Sequence, residues 1–293
     1  MDLVEILRKG LELGASDVIL SSETPPCVRV HGQLSRIAGP SLSSAETKKL
    51  VYAMLSEPQI AKFEREKELD FSFTLNGEQR FRGNVFLQRG TVGAAFRLIP
   101  AKVPTLDELQ LPPVVEEFAM APQGLVLITG PTGHGKSTTQ AGMIQLINRR
   151  RKAHIITIED PIEFIHANDQ CVIEQREVGE DTTSFAEALK RVLREAPDVI
   201  LVGEMRDPES IGCALSAAET GHLVIATVHT NDAVQAVDRL LDSFPSHQQG
   251  QVRSQLSLSL LGVLAQRLVP RKNGQGRVPA VEVLRNTSAV AHL

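Results

Sequence analysis

The sequence predicts an α/β protein in two parts, a smaller α+β unit over residues 1–99 and a larger unit over 114–293 built on a mostly parallel sheet. Three observations predict it. From residue 114 onward, short β-branched runs alternate with helical stretches, the pattern of a parallel sheet covered on both faces. A glycine-rich loop, Gly130-Pro131-Thr132-Gly133-His134-Gly135-Lys136-Ser137, lies between an apolar strand and a helix. Four prolines between Pro100 and Pro113 separate the two grammars and predict a linker over 100–113, partly extended and semi-rigid.

In chain order, Asp2-x-x-Glu5 and Ser43-x-x-Glu46 are capping boxes that open helices. Between them, 18–20 and 27–30 read as short strands. The segment 71–75 followed by Asn76-Gly77 predicts a hairpin with a two-residue turn, because that pair tolerates positive φ. Two further strands follow near 80–88 and 91–99, split by Arg89-Gly90. Alternation puts Phe81, Val85 and Leu87 on one face and Arg80, Arg82 and Asn84 on the other; Val92, Ala94, Phe96 and Leu98 oppose Arg97. In the larger unit, strands are expected at 124–129, 154–158, 198–202 and 222–228. Helices are expected at 136–148, 184–196 and 208–219, the second opened by a box at Ser184 and Glu187 and stopped by Pro197.

At 293 residues the chain is long enough for two cores. A net charge of −4 supplies no general pull towards nucleic acid or anionic lipid. Aromatics are 4% of the chain, leaving few platforms for stacking bases, so no nucleic-acid partner is expected. Arg149-Arg150-Arg151-Lys152 ends a helix, where cations complement the carbonyl end of the dipole. Cys27, Cys171 and Cys213 are scattered and odd in number, which fits neither a disulfide framework nor a paired zinc site. The first residues show no basic-then-apolar leader, and the greasiest stretch, 256–265, is broken by Ser257, Ser259 and Gly262. The expectation is a cytoplasmic chain with no transmembrane segment.

Four clusters fall at strand ends, where open α/β sheets bind ligands. The first is the glycine-rich loop. Its glycines let successive N–H groups turn inward as an anion nest, and the helix behind it points its positive end at the same place. Lys136 then reaches β- and γ-phosphates, and the Ser137 hydroxyl can ligate magnesium. A plain strand-to-helix turn would use similar residues, but eight positions in register with these flanks indicate a nucleoside triphosphate site. The second cluster carries Glu159, Asp160 and Glu163 directly after a buried strand, suited to positioning magnesium waters or activating water. In the third, Glu204 ends the apolar run 199–202 and suits a magnesium or water-orienting role, while Asp198 reads as a cap or turn residue. In the fourth, His222 opens a strand and His229 ends it, flanked by Thr227 and Thr230. A strand-end histidine is often structural, and spacing leaves that reading level with γ-phosphate contact. Arg82 and Arg97 read as solvated strand residues or as arginine fingers.

These clusters together resemble the PilT-type retraction motors of type IV pili, within the secretion and pilus ATPase superfamily. Residues 130–139 look like its Walker A loop, with Thr138 included in the phosphate-binding set. Residues 158–164 resemble its Asp box, 197–207 its atypical Walker B and 221–230 its His box. Further matches are Gly14-Ala15-Ser16-Asp17, Arg80-Phe81-Arg82, Gln266-Arg267-Leu268 and Gly276-Arg277-Val278. The resemblance implies a PAS-like N-terminal domain joined to a RecA-like P-loop ATPase domain, six copies in a ring, and ATP with magnesium held between domains and released as ADP. It makes Glu204 the catalytic glutamate and a magnesium contact, Glu163 the Asp-box acid, His222 and His229 the His-box residues, and Arg82 and Arg97 γ-phosphate-sensing arginines. It implies work on an inner-membrane platform protein at the cytoplasmic face, alongside a second retraction ATPase. A PilU-type accessory ATPase and a non-hydrolysing assembly module are the competing readings. Family members continue past residue 293 into an Ala-Ile-Arg-Asn-Leu-Ile-Arg-type motif and a helical tail, and 289–293 resembles the opening of that motif, so the sequence reads as shortened there.

Overall fold

The computed structural model describes every residue except Met1, His31, Asn76, Glu78, Ala101, 273–275 and Leu293. The chain divides into two compact units, Met1–Ala101 and Lys102–Leu293.

The first unit runs α1 (Leu3–Glu12), β1 (Asp17–Leu20), β2 (Cys27–Val30), β3 (Gln33–Arg36), α2 (Ser44–Tyr52), α3 (Glu57–Glu66), β4 (Glu68–Leu75), β5 (Gln79–Gln88) and β6 (Thr91–Leu98). Among the described residues its strands form one antiparallel sheet in the order β3-β2-β1-β6-β5-β4. Both capping boxes form, with Asp2 and Glu5 closing α1 and Ser43 and Glu46 closing α2. One sheet face is apolar: Val18, Phe81, Val85, Ala94 and Phe96 are buried against Ile6, Leu7 and Phe63 from the helices. Leu87 departs from the expected pattern and is exposed, because it sits at the far end of β5 beyond the helical cover. The hairpin is also longer than expected. Leu75 pairs with Gln79, so three residues rather than two connect the strands; Gly77 takes φ 76°, and Asn76 lies outside the described residues.

The second unit runs α4 (Val114–Ala119), β7 (Gly124–Thr129), α5 (Lys136–Arg150), β8 (His154–Glu159), β9 (Val172–Glu177), α6 (Phe185–Val192), β10 (Val199–Val202), α7 (Pro208–Glu219), β11 (Leu223–Val228), α8 (Ala233–Asp242), α9 (Ser246–Ser259), β12 (Leu260–Pro270), β13 (Arg277–Arg285) and α10 (Ser288–Ala291). Strand order is β13-β12-β7-β11-β10-β8-β9, parallel throughout except where β13 returns antiparallel along β12. Alternate residues of each buried strand face opposite cores. Leu125, Leu127, Ile200, Val202 and Val224 pack with α6–α9, whereas Val126, Ile128, Val199, Leu201 and Ile225 pack with α4 and α5. That two-sided burial explains why these strands read as continuous apolar runs.

Residues 102–113 are not a free linker. Thr105 and Glu108 cap one another (2.8 and 3.2 Å), and Leu106 and Leu111 pack on the core beside α4 and α5. Helix α6 is shorter than expected, ending at Val192 rather than 196, and its box is half made. Ser184 accepts the Glu187 N–H at 3.1 Å, but the Glu187 carboxylate goes to Lys190 at 3.0 Å instead of back to the cap. Asp198 caps no helix; just before β10 it accepts the N–H of His154, the first residue of the neighbouring strand β8, at 2.7 Å.

Strand β12 enters the sheet through an irregularity between Leu260 and Gly262. A Cβ at Gly262 would lie 2.4 Å from Phe118 Cζ and 2.6 Å from the Leu284 carbonyl, which cannot yield without moving backbone. Gly262→Ala is therefore expected to destabilise the chain by about 1–3 kcal/mol, read as an earlier midpoint in chemical denaturation.

Candidate active site

The parallel ladder decides where the motif residues meet. Thr129 at the end of β7 is level with Val228 of β11 and Ala265 of β12. On the other side of β11, Ala226 is level with Val202 of β10, which is level with Ile158 of β8. The chain leaving these strands at that one edge carries the loop 130–135, the Glu159–Glu163 segment, Gly203-Glu204 and His229-Thr230.

Gly135 occupies the cap of α5 with φ 85°, a left-handed conformation that lets the loop turn directly into the helix. Lys136, at the first position of α5, folds its side chain back under the loop. Its Nζ donates to the carbonyls of Gly130 (2.7 Å) and Pro131 (3.1 Å) and lies 3.4 Å from His229 Nδ1. An ammonium beside Nδ1 leaves that nitrogen as the acceptor and assigns the ring proton to Nε2. Nε2 in turn lies 3.1 Å from Glu204 Oε1. The far side of Glu204 is taken by Arg206, whose Nε and Nη2 each approach a carboxylate oxygen at 2.7 Å. Lys136, His229, Glu204 and Arg206 thus form one connected chain.

Its electrostatics follow from burial and charge. Burial pushes the Lys136 ammonium below its ordinary value, against the opposing pull of Glu204 and Glu163. For Glu204, burial raises the carboxyl, but the Arg206 and His229 partners outweigh it and hold it below the usual range. Glu159 differs: its carboxyl is buried, accepts from Thr157 Oγ1 (2.7 Å) and Gln175 Nε2 (3.1 Å), and is pushed up by desolvation. It is a strut. Glu163 is half-buried and acts electrostatically on Lys136, and Asp160 of the same cluster acts on Arg206.

Gly130, Pro131, Thr132, Glu204, Arg206, His229, Thr230 and Asn231 line a cleft of about 460 Å³, within the range of small-ligand sites. Gly133 lies exposed in the same loop, and Ser137 and Thr138 are half-buried in the first turn of α5. His134 is engaged instead with β12, its Nδ1 accepting the Leu268 N–H at 3.0 Å.

Residues 5–291 match the family model described as "Type II/IV secretion system protein". The chain belongs to that family. It is 48% identical to the type IV pilus retraction ATPase PilT of Pseudomonas aeruginosa over all 293 residues, spanning 85% of that protein. It is 43% identical to the type IV pilus ATPase PilU of the same organism, again over 293 residues and 77% of the relative. The crystal structure of the pilus retraction motor PilT with bound ADP superposes with a TM-score of 0.95 at 50% identity, covering all of this chain and 85% of the other.

Of the other expected site residues, one lies in the second unit outside the cleft and two belong to the first unit. His222 precedes β11 at its other end, about 23 Å from His229 at the strand rise of about 3.3 Å per residue. Its Nδ1 sits 2.9 Å from the Ala217 carbonyl and 3.3 Å from Thr220 Oγ1, an anchor for the α7–β11 turn. The extended strand between the two histidines separates them, so His222 does not join the Lys136–His229–Glu204 chain. Arg82 and Arg97 belong to the first unit, directly opposite one another on β5 and β6. Across that polar face, Arg29, Asp17, Arg97, Arg82 and Ser72 lie in one row. Asp17 accepts from Arg97 Nε at 3.0 Å and lies 3.6 Å from Arg29 Nε, while half-buried Arg82 faces Arg97.

The sequence reading missed Arg206 and Thr129. Arg206 carries the signal of a cation two residues after a strand-end acid. Thr129 Oγ1 donates to the Thr230 carbonyl and accepts its N–H, both at 2.8 Å, tying the loop after β11 to the end of β7. Thr227 ties the next loop: its Oγ1 donates to the Gly203 carbonyl at 2.5 Å and its backbone carbonyl accepts the Met205 N–H at 3.0 Å.

Because Glu204 is held below its ordinary value, the stabilisation from its ion pair is present above the unfolded carboxylate value of about 4.3 and disappears as pH falls through the lower native value. With an exposed guanidinium, the pair contributes about 0.5–1 kcal/mol. Arg206→Gln is expected to unfold earlier than the parent near neutral pH, with the difference narrowing as pH falls below about 4, in thermal scans without nucleotide.

Proposed function

We propose that this chain is a hexameric, ATP-hydrolysing motor that powers type IV pilus retraction and hence twitching motility. The observation that carries the reading is the connected chain Lys136–His229–Glu204 at the mouth of a cleft whose floor is the glycine-rich loop. In a bound state, phosphate oxygens would take the place of the Gly130 and Pro131 carbonyls on Lys136, and the loop N–H groups with the α5 dipole would cradle the chain of phosphates. Glu204 is the general base or water-orienting acid, His229 couples it to the phosphate-facing lysine, and Glu163 adds negative charge on the same side.

Ser137 and Glu204 offer the hard oxygen donors that magnesium prefers. No group of three His, Cys, Asp or Glu side chains among the described residues is arranged to hold a metal, so magnesium would take most of its ligands from phosphate and water. When bound it would neutralise the charge developing on the transferred phosphoryl. Arg82 and Arg97 are assigned to γ-phosphate sensing from a neighbouring copy, supported by the cation-rich row they share. The first unit would then be the PAS-like domain and the second the RecA-like motor. Among the described residues no helix is long and apolar enough to cross a membrane. We place the ring at the cytoplasmic face of the inner membrane, docked on a platform protein and working with a second retraction ATPase. A PilU-type accessory role is the second reading, favoured by the 43% identity over the same span; restoring motility in strains lacking one or the other ATPase separates the two.

Steady-state magnesium-ATP hydrolysis, measured against protein concentration, tests the proposal. Glu204→Gln is expected to lower kcat by at least about 10²-fold while ADP still binds. Specific activity should rise with protein concentration where sites are completed by neighbours. Turnover surviving unchanged in Glu204→Gln would remove the assigned chemistry.

A further inference from the structure

The phosphate loop is strapped from behind by strand β12. Gln266 follows Ala265, the residue level with Thr129, and its side chain is buried, only 3% exposed. The planar amide spans two partners. Its Oε1 accepts from Thr139 Oγ1 at 2.7 Å, and its Nε2 donates to the His134 carbonyl at 2.9 Å. Thr139 is itself buried, on the second turn of α5. Two residues along the strand, the Leu268 N–H donates to His134 Nδ1 at 3.0 Å, and Arg277 of β13 reaches the Gly133 carbonyl at 3.4 Å.

Loop and strand are also in steric contact. A Cβ at Gly130 would stand 2.2 Å from the Gln266 carbonyl oxygen, and one at Gly135 would stand 2.8 Å from Gln266 Nε2. A buried amide left unpaired would be destabilising, and an apolar side chain of similar volume would fill the same space without that risk. What an apolar residue cannot do is orient a peptide. Because the His134–Gly135 peptide is planar and trans, a His134 carbonyl drawn towards β12 points the Gly135 N–H the opposite way, to the inner side of the loop. That N–H belongs to the nest in which phosphate would sit.

We propose that Gln266 is a positioning residue for nucleotide, holding the His134–Gly135 peptide and the Thr139 turn of α5 in the phosphate-binding arrangement. The proposal rests on the nucleotide reading above. It predicts a loss of nucleotide affinity with little change in the chemical step, since Gln266 acts on the loop and does not approach Glu204.

The test is calorimetric titration with ADP, beside KM and kcat for ATP and the unfolding midpoint. It compares the parent, Gln266→Met (similar length, no amide), Thr139→Val (the same strap cut from the other end) and the double variant. Both single variants are expected to raise the ADP Kd and the ATP KM about tenfold, as losing one or two neutral hydrogen bonds allows, with kcat within about threefold of the parent. The double variant should be no weaker than Gln266→Met, because the Thr139 bond is already lost in that single variant. A lowered unfolding midpoint with unchanged Kd and KM would overturn the proposal and leave Gln266 as packing. If Gln266→Met fails to fold, Thr139→Val carries the same test, and an unchanged ADP Kd there overturns it as well. A parent chain that binds no ADP defeats the nucleotide reading itself, an outcome visible before any variant is made.

Discussion

The cleft depends on one constraint, the in-register parallel pairing of β7 with β11 and β12. With Thr129 level with Val228 and Ala265, the loop after β7, the histidine after β11 and the amide on β12 arrive within hydrogen-bonding reach of one another. Two-sided burial protects that register. Val126 and Ile128 face one core and Leu125 and Leu127 the other, so a slip of one residue would exchange the side chains presented to both. The same pairing makes the site rigid where it must be. Thr129, the last residue of β7, and Thr227, one before the end of β11, spend their hydroxyls holding the segment that leaves the neighbouring strand.

The groups at the cleft satisfy one another. Lys136 bonds the loop carbonyls, His229 bridges Lys136 to Glu204, and Arg206 covers both oxygens of the carboxylate. A half-buried lysine and carboxylate would be costly if left alone, and this mutual pairing keeps the site charged and soundly packed. Under the proposed function, phosphate binding would be an exchange of partners, with differential contacts at Lys136 and Glu204. The first unit contributes a different arrangement, a row of three arginines around Asp17 on a solvated sheet face. Like charges directly opposite one another, as with Arg82 and Arg97, work against sheet stability and are understandable where an anion supplies the balance.

Much of the site was legible because its chemistry is written in consecutive residues. Loop 130–137, the acid after β10 and the histidine after β11 each follow an apolar run, so strand-end placement followed from local pattern alone. Where the reading failed, the cause was geometry between distant segments. His222 and His229 look like a pair in sequence, yet an extended strand puts them at opposite edges of the sheet. The proline-rich stretch 102–113 looks like a linker because Leu106 and Leu111 are too few to show periodicity, and only their contact with the core beside α4 and α5 shows that they are packed. Glu159, Asp160 and Glu163 could not be ranked by spacing; burial of Glu159 against Thr157 and Gln175 separates the strut from the site acid.

By itself the sequence determined the two-part α/β architecture, the strand–loop–helix at residue 130 and the strand-end placement of Glu204 and His229 beside it. These are local matters, set by periodicity, turn chemistry and the spacing of a backbone that must wrap an anion. Tertiary structure alone decided that Glu159 is a buried strut, that Arg206 covers Glu204, and that Gln266 braces the loop from more than a hundred residues away. Those outcomes rest on strand order and register, which no short-range pattern encodes, because the side chains that meet are brought together only when the sheet closes its ladder.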